Sequence, residues 1–469
     1  MRALKIVVIG AGSASFGLNT LAHLVSCEKL AGAELALVDV NAGGLALMRK
    51  LAERMSREWS ASMKISSSTD RRRMLPGADF VIVSIAVDRE NRWRLDDEIA
   101  RRHGIFHYAE NGGPGAFSHT ARNVPMVLAI LRDMEKLCPS AWALNFTNPV
   151  PRMALLAHRH TRIRMVGICH QIGFAYVAAG AALARDLGMA GGKGKLPSRR
   201  SEIEPYGREA TKRAHELIDV KAAGTNHNTW ILDLRHRETG KDLYPLFAKR
   251  LADMPADWQP LSRKLFELFG VYPATGDGHL SEYLPWVSDA KTGAWERYHL
   301  HRHDFEGAKR GRGRMWRRIK RMVSGEEPVD ALRETPSERA AEIITGIALD
   351  ENSYELAVNV PNEGYITNLP NGTIVEVPGV VSGMGVRGVG VGKLARPVAE
   401  ICRRELEAAE LAVEAAVRGD RKLALQAVLF SPGVTDIEVA EKLLDAYLRA
   451  HRRFLPQFAR RRRAKSLFQ

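Results

Sequence analysis

Cysteine is scarce in this sequence. Its four residues among 469, Cys27, Cys138, Cys169 and Cys402, stand far apart and never form a CxxC pair. That spacing argues against a disulfide framework and fits a reducing compartment. Long hydrophobic runs are missing as well: no stretch approaches the roughly 18 apolar residues of a membrane helix. The opening residues go straight into Lys5-Ile6-Val7-Val8-Ile9-Gly10, without the apolar region and cleavage site of a secretory signal. The expectation is a cytoplasmic protein with no membrane partner. Internal repeats are absent too, and the length allows two domains, each with its own core.

Positive charge is in excess, with a formal net charge of +15. Much of it lies in two blocks, Lys309–Arg321 and the tail Arg460–Lys465. Such blocks bind nucleic acid or anionic surfaces in some proteins. The plainer reading is a solvated helix face and a frayed terminus. No zinc-finger, RRM or KH signature accompanies them, so a nucleic-acid partner is not expected.

What the chain does have is an alternation of short apolar runs and helical spacings. Ile6–Ile9 reads as a strand, Gly10 to Ser15 as a glycine turn, Phe16 to Leu30 as a helix, and Leu35–Asp39 as a second strand ending in an acid. Gly10 permits a tight turn, Gly12 lets the backbone approach a pyrophosphate at the helix N-terminus, and Asp39 is placed to accept hydrogen bonds from an adenosine ribose. Ser15 stands where the dinucleotide fingerprint has its third glycine. A helix from Gly44 to Arg57, a strand at Phe80–Ile85, a helix from Arg122 to Leu137 and strands at Ala141–Leu144 and Ile163–Val166 continue the pattern. The fold class is therefore α/β: a Rossmann-like doubly wound sheet over residues 1–175. A mostly helical α+β domain for substrate, metal and oligomerisation follows over residues 176–469.

Two polar blocks follow the last two strands, Asn145-Phe146-Thr147-Asn148-Pro149 and Gly167-Ile168-Cys169-His170-Gln171. Residues past the carboxyl ends of parallel strands face the ligand crevice, so Asn148, Cys169 and His170 converge on one site. A sulfur, an imidazole and an amide beside a nicotinamide suggest a metal-assisted redox site. Taken alone, Cys169 also reads as a small buried hydrophobe. The run Glu110-Asn111-Gly112-Gly113-Pro114-Gly115 is expected to be irregular and to form a loop near the cofactor, where Glu110 taken alone reads rather as a cap. Further on, Gly191–Ser201 looks like an exposed insertion, and polar blocks stand at Gly224–Trp230, Asp277–Pro285 and Val360–Pro370. From Leu394 the chain is helical again.

The ordered set of these blocks resembles glycoside hydrolase family 4, the NAD- and manganese-dependent glycosidases. The resemblance is carried by Gly10-Ala11-Gly12-Ser13 with Phe16, Asn145–Val150, Gly167–His170, Asn226-His227 with Trp230, Asp277 with Glu282-Tyr283, and Asn362 through Pro378. It implies a glycosidase that oxidises C3 of the sugar with NAD, removes the C2 proton, eliminates the C1 leaving group, adds water and returns the hydride. It assigns Gly10, Gly12, Ser13, Phe16 and Asp39 to the cofactor and Cys169 and His227 to Mn2+ or another divalent ion. Asn148 matches a sugar-hydroxyl ligand and Glu110 an acidic position near the metal and substrate.

Members acting on phosphorylated sugars carry a tyrosine base where His279 stands, whereas members acting on free or uronic sugars carry an aspartate where Asp277 stands. The base is accordingly expected at Asp277. His170 matches the unphosphorylated-sugar members and serves as leaving-group acid or as a hydrogen-bond anchor. Expected partners are a small glycoside, hexoside or uronide, and further copies of the chain in a homodimer or homotetramer. The block at Glu110 departs from the family's usual run, and Gly191–Ser201 and Lys309–Arg321 look atypical. The alternatives are an NAD-dependent 2-hydroxyacid dehydrogenase, which needs neither Cys169 nor His227, and a non-catalytic nucleic-acid or sensor protein on the same fold.

Overall fold

The computed structural model describes residues 3–14, 16–189, 210–333 and 339–459. Ser15, the Gly191–Ser201 stretch, the Arg460–Lys465 tail and the side chain of Phe16 lie outside the described residues. Six parallel strands form the first half of the sheet in the order β3-β2-β1-β4-β5-β6. They are β1 (Lys5–Ile9), β2 (Glu34–Val38), β3 (Lys64–Ser68), β4 (Phe80–Val83), β5 (Trp142–Asn145) and β6 (Arg164–Gly167).

Strand pleating explains why the inner strands are apolar at every position. Ile6, Val8, Leu35, Leu37, Phe80 and Ile82 point into one core, with Leu18, Leu21, Met48 and Leu51 of helices α1 (Phe16–Ser26) and α2 (Ala42–Glu58). Val7, Ile9, Ala36, Val38, Val81 and Val83 point into the other, with Val127, Leu131, Met153, Val413 and Leu443. Alternate side chains on each strand thus serve opposite layers, as a sheet covered on both faces requires.

Several elements have no counterpart in the sequence analysis, and two show why. β3 is half-exposed and reads Lys-Ile-Ser-Ser-Ser, a composition suited to a sheet edge. The helix Arg89–Arg102 is dominated by charge, yet it buries Trp93, Asp96, Asp97, Ile99 and Ala100. Asp96 is paired with Arg122 at 2.7 Å, both side chains being about 1% exposed, and with His451 at 2.7 Å.

The run expected to be irregular is corrected in its second half. Gly113, Pro114 and Gly115 open a 25-residue helix, Gly113–Leu137, which the sequence placed only from Arg122. Proline in a first turn costs nothing, because its missing N–H would have no partner there.

After β6 the sheet continues with antiparallel strands. Gly167 pairs with Asn359 of β10 (Ser353–Pro361), which pairs with β11 (Ile374–Ser382). β11 meets β7 (Ile218–Thr225) at Glu376 and Gly224, β7 turns tightly into β8 (Asn228–His236), and β9 (Tyr272–Pro273) closes that edge. A short β12 (Gly385–Gly388) flanks β11. One twelve-stranded sheet therefore runs through both halves of the chain, and the β7–β8 turn lies beside the end of β6. Among the described residues no helix is long and apolar enough to cross a membrane.

Candidate active site

Two cavities adjoin over the carboxyl ends of the parallel strands. The larger, about 780 Å³, is lined by Gly10 and Ser13, by Asp39 and Val40 after β2, and by Ser84 and Ile85 after β4. The other, about 570 Å³, is lined by Asn111, Cys169, His170, His227, His279 and His303. Arg89, Glu90, Phe146, Asn148 and Arg312 border both. The two cavities therefore join at these five residues, Asn148 among them.

The first turn is shaped by contacts that leave no room for side chains. Gly10 has φ +97°, and a Cβ there would lie 1.9 Å from the Ser84 carbonyl oxygen. At Gly12 a Cβ would lie 2.8 Å from Asp39 Cγ, and the Gly12 N–H donates to Asp39 Oδ2 at 2.9 Å. Gly12 thus lets the acid at the end of β2 hold the turn, while Gly10 and Ser13 border the cavity. A turn with glycine at its two closest approaches, an acid at the end of the neighbouring strand and a crevice bordered by both fit a dinucleotide.

His227 sits in the two-residue turn between β7 and β8 with a left-handed φ of +64°. Strain of this kind, about 1–3 kcal/mol, persists only where neighbours fix it. Here the buried Glu376 does so, accepting from Asn226 Nδ2 at 2.6 Å, Thr229 Oγ1 at 2.8 Å and Asn359 Nδ2 at 2.9 Å. Burial raises the Glu376 pKa, and these three bonds partly offset it.

The turn brings His227 Nε2 to 3.3 Å from Cys169 Sγ. Burial first, then the charges of His279, His170 and Arg89, hold the His227 pKa well below its ordinary value. A neutral imidazole beside a thiol fits a divalent ion. Among the described residues no cluster of three or more His, Cys, Asp or Glu side chains has metal-holding geometry. The pair would leave its remaining positions to oxygen ligands, as catalytic sites do.

Two expected side chains are found elsewhere. The Asp277 carboxylate, expected as the base, does not line the cavity; it accepts from Leu261 N at 2.9 Å, Ser262 N at 2.8 Å and Ser262 Oγ at 2.6 Å. It caps the helix Pro260–Phe269, where unpaired N–H groups favour an anion. Glu110, expected at the substrate, is 1% exposed behind the cavity wall, 2.6 Å from Arg89. Burial pushes its carboxyl up, but Arg89, with help from His119 and His279, more than reverses that and leaves its pKa lowered.

His279 reaches the cavity from the same short helix as Asp277, with its ring 4.3 Å from that of His227. Its Nδ1 lies 3.0 Å from Glu282 Oε1, and Glu282 is fully buried. The other oxygen of Glu282 accepts from the backbone of Asn111 at 3.1 Å and Gly112 at 2.9 Å. Gly112 allows this approach, since a Cβ there would lie 2.6 Å from Glu282 Cβ.

A histidine and a glutamate three apart on one helix face was the readable signal for this dyad. Arg89 and His303 carried none, whereas Asn111 and Arg312 stand in the two blocks, at Glu110 and at Lys309–Arg321, that depart from the family's usual run and were expected to rim the sugar pocket. The basic block forms the helix Phe305–Ser324, which lays Gly311, Arg312 and Met315 over the smaller cavity and Lys309 and Arg312 over the larger. Arg312 is paired there with Glu90.

The family model described as "Family 4 glycosyl hydrolase" matches residues 5–181, and that of the family's C-terminal domain matches residues 222–434. An alpha-glucosidase of Erwinia rhapontici is 30% identical over 491 aligned residues, covering 95% of this chain and 97% of that protein. An alpha-galactosidase of Rhizobium meliloti (strain 1021) is 27% identical, covering 98% and 90%. A 6-phospho-alpha-glucosidase from gut microorganisms, solved in complex with NAD and Mn2+, shares the fold with a TM-score of 0.77 and 20% identity over 97% of this chain and 99% of that one. With both family models matched along most of its length, this chain belongs to the family 4 glycosyl hydrolases.

Proposed function

We propose that the chain hydrolyses a small unphosphorylated glycoside, hexoside or uronide, with the help of NAD and a divalent ion such as Mn2+. The route we infer is oxidation at C3, proton removal at C2, elimination of the C1 substituent, addition of water at C1 with a proton returned to C2, and return of the hydride to C3. The observation that carries this reading is the Cys169–His227 pair, 3.3 Å apart in a cavity that joins the glycine-turn crevice at Asn148. In this reading a dinucleotide at Gly10, Ser13 and Asp39 supplies the hydride acceptor and donor, and an ion on Cys169 and His227 supplies the Lewis acidity that makes the C2 proton labile.

The chain's own groups do the rest. Asn148, at the junction, holds a sugar hydroxyl. The buried Glu282 carboxylate accepts the Nδ1–H of His279, which leaves Nε2 as the base for the C2 proton. His279 thus takes the role expected of Asp277. His170, exposed on the same wall, donates to the leaving oxygen. Arg89 and Arg312 already face Glu110 and Glu90, so neither brings unmatched positive charge for a sugar phosphate. The alpha-glucosidase and alpha-galactosidase names of the two relatives support the same choice.

A panel of aryl glycosides tests the proposal: α-glucoside, α-galactoside, α-galacturonide and their 6-phospho counterparts, each with and without NAD+ and Mn2+. Aryl alcohol should be released from an unphosphorylated member only when both additions are present. Preference for a 6-phospho sugar, or turnover by protein stripped of NAD, contradicts it.

A further inference from the structure

The geometry points to Asn111 as a positioning residue whose side-chain amide partners Nδ1 of His227 and, by accepting its proton, leaves Nε2 free to hold an ion. The inference rests on the reading that Cys169 and His227 hold a divalent ion. A neutral imidazole has one N–H and one lone pair. Nε2 of His227 faces Cys169 Sγ at 3.3 Å, so Nε2 must offer the lone pair to an ion and the proton must sit on Nδ1. A metal-ligating histidine generally donates that second N–H to a fixed acceptor.

The group at Nδ1 is the buried Asn111 side chain, placed with its Nδ2 3.0 Å away and its Oδ1 turned from the ring. Its backbone is fixed by Glu282, which also orients His279. One turn of chain therefore ties the ion-holding histidine to the base. With Nδ2 toward His227, the amide donates to Nδ1, and Nε2 carries the proton and faces the sulfur. With Oδ1 toward His227, the amide accepts from Nδ1–H, and the Nε2 lone pair is free. The two orientations fill the same volume. The amide's other end has no hydrogen-bond partner among the described residues, so no other bond fixes the choice. An amide serves both states of His227, a carboxylate only the ion-holding one, and an alkyl group neither.

This ranking is tested by titrating Mn2+ into NAD+-saturated wild type, Asn111→Leu, Asn111→Asp, Cys169→Ser and His227→Ala by calorimetry, with NAD+ affinity measured in parallel to confirm folding. Asn111→Leu should weaken Mn2+ binding about 10–100-fold, the size typical of a lost partner to a ligating histidine. Asn111→Asp should bind at least as tightly as wild type. Mn2+ affinity of Asn111→Leu within about threefold of wild type overturns the proposal, and so does equal weakening in both Asn111 variants, which marks a packing role. If Cys169→Ser and His227→Ala lose Mn2+ while Asn111→Leu does not, the metal reading stands and this inference alone falls. If those two bind Mn2+ like wild type, both fall.

Discussion

Replacing Asp277 by asparagine separates the structure's account of this residue from the one its sequence position suggests. The carboxylate accepts three hydrogen bonds at 2.6–2.9 Å from Leu261 and Ser262 at the start of the Pro260–Phe269 helix. Asparagine keeps one acceptor oxygen and turns an NH2 group toward a backbone N–H. Bonds to a charged acceptor contribute about 1.5–3 kcal/mol each, and a buried donor left unpaired costs about 1–3 kcal/mol. Part of this is recovered on the side that keeps its oxygen, so a net loss of about 2–3 kcal/mol is expected, at or above the top of the range for helix caps. Ser262→Ala removes only the hydroxyl and should lose about 1 kcal/mol.

Urea unfolding reads these losses, and activity is measured well below the midpoint. Folded Asp277→Asn should retain activity within a few-fold of wild type, whereas His279→Ala should fall by about 10²–10⁴, the span of a general base. A stable but inactive Asp277→Asn, beside an active His279→Ala, would refute the assignment.

Three further outcomes are expected. Asp39 borders the dinucleotide crevice, so NAD+ should bind more tightly than NADP+, whose extra phosphate meets a carboxylate; Asp39→Ala should erase that preference, and equal wild-type affinities would contradict it. Cys169→Ser and His227→Ala should lose bound metal by elemental analysis while NAD+ affinity stays nearly unchanged, and full occupancy in both would exclude the site. Burial raises the Asp96 pKa, but Arg122 and His451 outweigh it and lower the value to about 2. Against an unfolded value near 3.9, the stabilisation is full above about pH 4 and disappears as pH falls through about 2. Asp96→Asn should cost about 3–5 kcal/mol at neutral pH by leaving Arg122 buried without its partner, and the gap from wild type should narrow in acid. A constant gap from pH 7 to 2 would contradict this.

The parallel strands were legible because each is an unbroken apolar run between turn residues, as at Ile6–Ile9 and Phe80–Val83. β3 was not, since a half-exposed edge tolerates Lys64 and three serines. The Arg89–Arg102 helix was hidden because its charges find partners only in the fold, such as Arg122 for Asp96 and Arg302 for Asp97. The helix start at Gly113 was masked by glycines whose role is close packing, visible at Gly112 only once Glu282 is in place.

In the candidate site, chain position placed Gly10, Ser13 and Asp39 at one cavity and Asn148, Cys169, His170 and His227 at its neighbour, because strand ends and tight turns fix where residues go. Chain position alone does not orient side chains within the segment Asp277–Leu280, which is helical. Two residues along a helix turn the side chain by roughly 200°, so Asp277 and His279 face opposite ways. The family resemblance offered both positions and the expectation fell on Asp277, whereas it is His279 that the helix turns to the cavity.

The central claim is that the C2 proton is exchanged during glycoside cleavage, which two-carboxylate glycosidases do not require. Turnover of an aryl glycoside in D2O, with NAD+ and Mn2+ present and the released sugar examined by NMR and mass spectrometry, tests it most directly. The account predicts deuterium at C2 of the product, no net NADH, and loss of the deuterium along with activity in His279→Ala. Sugar released without deuterium at C2 would contradict it.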